Sequence, residues 1–436
     1  MDSIRDQERD LLAALRPLIA PIRKLPVELL TEVFLLLVDS TGDWLLSALL
    51  VSQICAHWRR VACATPQLWD RLITLDRTKS RSAAYMATTK TLFERSAPLS
   101  VPISLKNESR KASPLAEYIY SLAPRWKSLS WSGSSSRLRA LPLGSLNSLE
   151  SVNLSHCTDV TSSSPIDVFL GAQRLRIATF SLGAMGLFQL PWSQLTSLGV
   201  TELMQPAQVF LDILFQCTNV VDVAFSAMIP WTEAPALSTP VIQLPHLQQL
   251  TLIFAPGAGE NITPFFSRLS LPALIVLNIM HADADMTAWW STKDFTQFQR
   301  RSPHVHELSV FGTSLTSEGA VSLLTEYPHL TWIDLRYCFH TEDALNSVLD
   351  LLGRKDTQPR LRRLAIVHHA INTAHEAVLE QIIFPRWWPD AQSVNHTGAR
   401  LERLDISRGE DLLHQFSAPF VAKVDQLRAQ GLKVVL

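Results

Sequence analysis

A short pattern recurs along most of this chain and limits the folds that are open to it. The pattern is an apolar residue, two variable residues, a second apolar residue, one variable residue and a third apolar residue, and it occurs eleven times after residue 125. Its instances begin at Trp126, Leu149, Leu175, Leu195, Val220, Leu247, Leu274, Val305, Leu330, Leu361 and Leu401. Most of them start twenty to thirty-one residues apart. Self-similarity at that period predicts a solenoid, in which each unit buries its apolar side against its neighbours.

The last two apolar positions of each instance alternate with variable residues, as they would in a β-strand. Two instances end in a cysteine, in LESVNLSHC at 149–157 and LTWIDLRYC at 330–338. The instances at 305 and 330 are followed by a threonine, an acidic residue soon after it, and apolar residues at helical spacing. That order is typical of the start of a capped helix. The sequence therefore predicts an α/β solenoid over residues 126–436.

Ahead of the repeat, residues 25–69 predict three short helices. Pro26 suits the first position of a helix, and Glu28 in the first turn interacts favourably with the helix dipole. Apolar residues then follow at three- and four-residue spacing, namely Leu29, Leu30, Val33, Phe34 and Leu37. The polar stretch 39–43 ends this helix, a second is predicted over about residues 44–54, and a third ends before Thr65 and Pro66.

The motifs on these helices resemble an F-box, the module that docks on the Skp-family adaptor of cullin–RING ubiquitin ligases. The matching residues are Leu25-Pro26-x-Glu28-Leu29-Leu30, Val33-Phe34, Ser52-x-Ile54-Cys55-x-x-Trp58-Arg59-Arg60 and Pro66-x-Leu68-Trp69. The resemblance implies that the residues in contact with the adaptor are Leu25, Pro26, Glu28, Leu29, Leu50, Ile54 and Trp58. The last three also suit the internal core of the module. The stretch between Leu37 and Cys55 is several residues longer than the commonest family spacing, so we expect the first loop and the second helix to be displaced.

The repeat resembles the cysteine-containing leucine-rich repeats that often follow an F-box, and this resemblance implies a horseshoe. It also implies that Cys157 and Cys338 are buried turn residues, and that the residues between the buried strand positions line a concave face. The residues expected to bind a protein substrate on that face are Phe311, Trp332, Asp334, Arg336, Arg363, His368, Arg403, Asp405 and Arg408. Arg and Trp often anchor interfaces. A solvated sheet face with incidental charges is the alternative.

Composition argues against several classes of function. Hydrophobic residues make up 47% of the chain and charged residues 18%, which favours an extensive core over disorder. A formal net charge of −1 gives no general affinity for nucleic acid or membrane phosphates. Five cysteines, an odd number, argue against a disulfide framework. The charged N-terminus is unlike a secretory signal and no apolar run is long enough to span a bilayer, so we expect a cytoplasmic or nuclear protein.

The sequence contains no evident catalytic or metal-binding group of residues. His368 and His369 lack a third ligand at a suitable spacing, and adjacent residues of a strand point to opposite faces. Gly257-Ala-Gly259 lacks both the lysine and the strand-to-helix context of a phosphate-binding loop. We therefore expect no catalytic residue, no metal and no cofactor in this chain.

Four segments follow from these observations. They are an amphipathic helix over 1–20, an F-box-like module over 21–75, a linker with the first capping strand and helix over 76–125, and the leucine-rich repeat over 126–436. The expected function is that of a substrate-recognition subunit, which holds a target protein on the repeat while the helical module docks on the adaptor and, through it, on cullin and RING subunits. The alternative is a non-catalytic interaction scaffold with little or no role in a ligase.

Overall fold

The structure, a computed structural model, is α/β and divides into two compact units. One unit comprises Met1–Glu150 and Gly171–Arg174, and the other comprises Ser151–Leu170 and Leu175–Leu436. The residues described are 22, 25–76, 78, 82–108, 113–157, 165–181, 188–203, 207–228, 240–255, 263–281, 292–339, 341–354, 356–387, 399–407 and 416–436. The helix predicted over 1–20 lies outside these residues, as do Arg408 and the segment Gly257-Ala-Gly259.

The first unit begins with the three predicted helices and continues with three strands. Its elements are α1 (Val27–Ser40), α2 (Trp44–Ile54), α3 (Ala56–Cys63), β1 (Ile73–Asp76), α4 (Ala83–Arg95), β2 (Val101–Glu108), α5 (Pro114–Ser121), β3 (Trp126–Gly133) and α6 (Ser136–Arg139). The strands β1, β2 and β3 pair in parallel and in chain order. The three predicted helices are confirmed. The strand at Trp126, which we expected to open the repeat, belongs to this unit.

A small apolar core holds α1, α2 and α3 together. Leu30, Phe34 and Val38 of α1 are buried one turn apart. They pack in the core with residues of α2, α3 and the segment after it, namely Ala48, Val51, Val61, Ala62, Leu68 and Trp69. The Trp69 indole nitrogen donates to the Ala62 carbonyl at 2.8 Å, which satisfies the polar atom of a fully buried side chain. The module therefore has a closed core of its own.

The second unit is a series of strands that alternate with helices or loops. Its elements are β4 (Ser151–Cys157), β5 (Ile177–Ser181), β6 (Ser197–Leu203), α7 (Ala207–Gln216), β7 (Asp222–Ala227), β8 (Ile242–Gln243), β9 (Gln249–Phe254), α8 (Thr263–Ser267), β10 (Leu269–Ser270), β11 (Val276–His281), α9 (Thr292–Arg301), β12 (Glu307–Phe311), α10 (Ser317–Thr325), β13 (Trp332–Arg336), α11 (Glu342–Gly353), β14 (Arg363–Val367), α12 (Glu376–Ile383), β15 (Arg403–Ser407), α13 (Ala418–Ala429) and β16 (Lys433–Val435). A strand coincides with every one of the eleven instances of the repeated pattern, so the strands predicted at these instances are confirmed. The strands pair in parallel and in chain order, apart from β8 and β10, which pair with each other.

The register of these strands places the apolar positions of successive repeats beside one another. One buried row consists of Leu250, Leu277, Leu308, Ile333, Leu364 and Leu404, and a second of Leu252, Ile279, Val310, Leu335, Ile366 and Ile406. Each of these side chains is at most 1% exposed. A shift of one residue would turn a whole strand's apolar side chains to the opposite face, so the rows specify the register strongly.

Polar side chains satisfy backbone groups where helices end. The Gln358 amide nitrogen donates to the carbonyls of Leu324 and Tyr327, both at 2.8 Å, and its oxygen accepts from the Leu330 amide at 3.0 Å. The Arg301 guanidinium likewise donates hydrogen bonds to the carbonyls of three residues, Phe266, Ser267 and Leu269. The carbonyls of Leu324, Phe266 and Ser267 lie in the last turns of their helices, where they have no partner within the helix. Gln358 and Arg301 therefore stabilise the joints between repeats.

Among the helices described, none combines the length and the apolar character that a membrane span requires.

Replacement of Gln358 by alanine should lower the free energy of unfolding by about 3 kcal/mol, because three buried backbone groups lose their partner at once. Urea titration followed by circular dichroism measures this change. The control is Gln426→Ala, since Gln426 is exposed on α13. Equal losses in the two variants would contradict the anchoring role.

Candidate binding surfaces

Helix α1 is apolar on two sides, of which only one is buried. Leu30, Phe34 and Val38 form the buried side. The other side consists of Leu29, Val33, Leu36 and Leu37, which are 54%, 44%, 68% and 41% exposed. These residues recur at helical spacing, so they form a continuous strip, here called the α1 stripe.

Helix α2 has the same division. Leu46, Leu50 and Ile54 are spaced four residues apart and are 54%, 53% and 61% exposed, and they form the α2 stripe. The buried residues of this helix are Ser47, Ala48, Val51 and Ser52. Single exposed apolar residues are common on proteins, but aligned strips of them are typical of an interaction site.

The residues expected to contact an adaptor fall into two groups in the structure. Pro26, Glu28, Leu29, Leu50 and Ile54 are exposed. Leu25 and Trp58 are partly buried, and the Trp58 ring lies 4.9 Å from the ring of Phe34, between centroids. Trp58 therefore contributes to the core of the module.

The connection that is longer than the family spacing is largely helical. α1 continues to Ser40 and α2 begins at Trp44, so only residues 41–43 lie between them. The Asp43 side chain caps α2 by accepting from the Leu46 amide at 3.0 Å, and the hydroxyls of Thr41 and Ser47 are 2.7 Å apart. The loop between α1 and α2 is therefore short.

A second candidate surface lies on the strands of the other unit, on the side opposite the buried rows. Neighbouring strands place Glu307, Trp332, Arg363, Arg403 and Lys433 side by side, which we call the first row. The second row, two residues further along, consists of Ser309, Asp334, Ala365, Asp405 and Val435. The two rows thus contain five of the nine residues predicted to bind a substrate, Trp332, Asp334, Arg363, Arg403 and Asp405.

Arg363 bridges three strands of this surface. Its Nη2 donates to Oε1 of Glu307 at 3.1 Å, although β13 lies between the two residues. The guanidinium lies over the indole of Trp332, and its carbon Cζ is 4.8 Å from the ring centroid. Charge pairing and stacking on the aromatic face both restrict the arginine to this conformation.

Arg336 lies between two carboxylates. Its Nε is 2.8 Å from Oδ1 of Asp334, and its Nη2 is 3.7 Å from Oδ2 of Asp405. Burial raises the pKa of Asp334, while the charge of Arg336 acts in the opposite direction and the nearby Asp405 raises the pKa further. The carboxylates of Asp334 and Asp405 therefore balance the positive charge of Arg336 within the protein.

Two of the remaining predicted residues differ in their exposure. Phe311 is half-buried, and its ring centroid is 5.7 Å from that of Tyr337. His368 is only 3% exposed, which corrects our expectation of an accessible side chain. The strand ends at Val367, and the chain turns back so that the Ile371 amide donates to the His368 carbonyl at 3.1 Å. His368 follows Leu364 and Ile366 at two-residue spacing, so it continues the buried side of the strand, and its Nδ1 accepts from the Ala370 amide.

The cysteines of the two fullest repeats are in the core. Cys157 is 8% exposed and Cys338 is fully buried, as predicted. Burial raises the pKa of the Cys338 thiol, and the charge of Asp334 adds to this effect. A thiol with a raised pKa is a poor nucleophile and a poor metal ligand. Within the described residues, no group of three His, Cys, Asp or Glu side chains is placed to hold a metal ion.

Sequence reasoning missed the two most informative apolar positions and one cation. Leu36 and Leu46 extend the α1 and α2 stripes, and their spacing from Leu29 and Leu50 was a signal that could have found them. Lys433 joins the first row because the C-terminal strand β16 pairs with β15.

Comparison with protein-family models and with curated proteins finds no match to this chain.

The stability of the protein should fall as the pH decreases from about 6.5 towards 4, in part because of His368. Burial, together with the charge of His369, lowers the pKa of His368 to about 4, so the unfolded chain binds a proton in this range and the folded protein does not. At pH 5 the contribution is about 2 kcal/mol. Urea titrations at pH 7 and pH 5 measure it.

His368→Gln should reduce the loss of stability between pH 7 and pH 5, whereas His246→Gln, at an exposed position, should leave that loss unchanged. An identical loss in wild type and His368→Gln would show that protonation of His368 is not responsible.

Proposed function

We propose that this chain is the substrate-recognition subunit of a ubiquitin ligase of the Skp–cullin–F-box type. In this proposal the three-helix module is an F-box that docks on a Skp-family adaptor. The parallel strands and their helices form a leucine-rich-repeat horseshoe that holds the target protein. The proposed place of action is the cytoplasm or the nucleus.

The observation that supports the docking step best is the pair of apolar stripes on α1 and α2. The module is already closed by its own core, so these side chains are not needed to hold its helices together. Burial of apolar surface contributes about 25 cal/mol per Å², so a partner that covers both stripes gains considerable binding free energy. The resemblance of the ordered motifs to an F-box supports an adaptor of the Skp family as that partner.

The proposed mechanism is recruitment and not catalysis by this chain. A target bound to the repeat is held near the ubiquitin-conjugating enzyme that the cullin and RING subunits recruit. The effective concentration of the target's lysines at that enzyme rises accordingly. A non-catalytic scaffold without a ligase is the alternative, and it predicts a folded protein that does not bind the adaptor.

Substitution of glutamate for Leu36, or for Leu50, should weaken binding to a purified Skp-type adaptor by at least about tenfold. Each change removes an apolar contact and introduces a charge into the proposed interface. Isothermal titration calorimetry measures the affinity, and circular dichroism shows whether each variant is folded.

Leu143→Glu is a matched control for Leu36→Glu, because both leucines are 68% exposed and both belong to the same unit. It should leave the affinity for the adaptor unchanged. If the folded wild-type protein does not bind the adaptor, the scaffold alternative is correct. If Leu36→Glu and Leu50→Glu bind as tightly as wild type, the stripes are not the docking surface.

A further inference from the structure

We propose that the strand face at the C-terminal end of the second unit binds an extended acidic segment of the target protein. The inference rests on the proposed function, since it specifies which segment of a target the repeat recognises. The anionic group is a carboxylate or the phosphate of a phosphorylated side chain. The proposed contacts come from Arg403 and Lys433, beside the Trp332–Arg363 stack.

The charged residues of this face are concentrated on its last strands. Six earlier strands, β4, β5, β6, β7, β9 and β11, also carry outward side chains at positions that align with the two rows. Among those that the structure describes, Asp222 is the only Asp, Glu, Lys or Arg, and it accepts a hydrogen bond from Ser197. The outward charged residues of β12 to β16 are Glu307, Asp334, Arg336, Arg363, Arg403, Asp405 and Lys433. A ligand that follows this face meets a nearly uncharged surface first and a charged one at the end.

Two cationic side chains of this face take no part in its ion pairs. Arg363 pairs with Glu307, and Arg336 pairs with Asp334 and Asp405. Arg403 and Lys433 are exposed, and neither forms an ion pair with any residue that the structure describes. They are direct neighbours in the register of β15 and β16.

Two like charges opposite each other on neighbouring strands repel, and an anion placed between them removes that repulsion. The formal charge of the whole chain is −1, so this cationic pair is a local feature and not a consequence of a basic protein. The adjacent arginine is held on Trp332 and presents an ordered, amphipathic surface to a bound chain.

The remaining side chains of the face favour a peptide over a nucleic acid. Three carboxylates, those of Glu307, Asp334 and Asp405, lie among the cations and would repel the closely spaced phosphates of a nucleic acid backbone. Ile253, Met280 and Phe311 are aligned on neighbouring strands before Arg336 and provide apolar contacts. An acidic segment that also contains apolar side chains fits both parts of the face.

Fluorescence anisotropy with the full chain tests the proposal directly. The probes are a labelled peptide of alternating glutamate and leucine, the same peptide with glutamine or lysine in place of glutamate, a version with phosphoserine, and a single-stranded oligonucleotide. We expect the glutamate or the phosphoserine peptide to bind, and the ratio of their affinities identifies the preferred anion. Binding should weaken when salt at about 1 M screens the charges.

Arg403→Glu/Lys433→Glu should weaken binding of the acidic peptide by about tenfold. The control is Arg300→Glu/Lys423→Glu, which changes the net charge equally but at exposed positions on α9 and α13. The proposal is overturned if both double variants lose affinity equally, if neither acidic peptide binds, or if the oligonucleotide binds more tightly than either of them.

This test needs no adaptor, and the calorimetric test of the stripes needs no peptide. A failure here with intact adaptor binding therefore rejects the acidic-segment proposal alone. Peptide binding without adaptor binding rejects the ligase assignment and leaves the cationic pair as a peptide site.

Discussion

Residue-by-residue pairing of parallel strands is the constraint on which the second unit depends. Strand β9 and each strand from β11 to β15 contribute two apolar side chains to the same two buried rows. Because side chains alternate along a strand, this pairing also determines which residues point outward and which of them become neighbours. The contact between Arg363 and Glu307 is a consequence, since their side chains meet only because β12, β13 and β14 are in register.

The three-helix module shows how little of an apolar helix its own core requires. Three residues of α1, one turn apart, are sufficient to pack against α2 and α3, although the helix contains three times that number of large apolar residues. The surplus lies on the outer side, where water solvates it unfavourably in the isolated chain. An exposed strip of this kind is retained at a cost in solubility, and burial against a partner removes that cost.

The sequence predicted the strands and the helices of the module well, because each depends on a local period. The eleven pattern instances located eleven strands, and the three- and four-residue spacing of apolar residues after Pro26 located α1. It did not predict which of two apolar sides of a helix faces the core, because a period of 3.6 residues fits both. The burial of His368 was missed although the same alternation predicts it, since His368 lies two residues after Ile366, on the buried side of the chain.

The sequence predicted most of the charged surface, apart from Lys433, but not its organisation. The repeat pattern identifies Arg336, Arg363 and Arg403 as outward residues, yet it treats them as equivalent. The structure separates them by their partners, because the first is enclosed by two carboxylates, the second is paired and stacked, and the third is free of ion pairs among the described residues. These differences depend on side-chain length and on contacts between strands far apart in sequence.

The two candidate surfaces belong to different units and differ in their chemistry. The stripes on α1 and α2 are apolar, so binding there depends on buried area and changes little with ionic strength. Arg403 and Lys433 are exposed cations, so binding there is steered by charge and weakens with salt. In the proposed function, the apolar interface keeps the chain on the ligase, and the readily reversible charged interface allows targets to be exchanged.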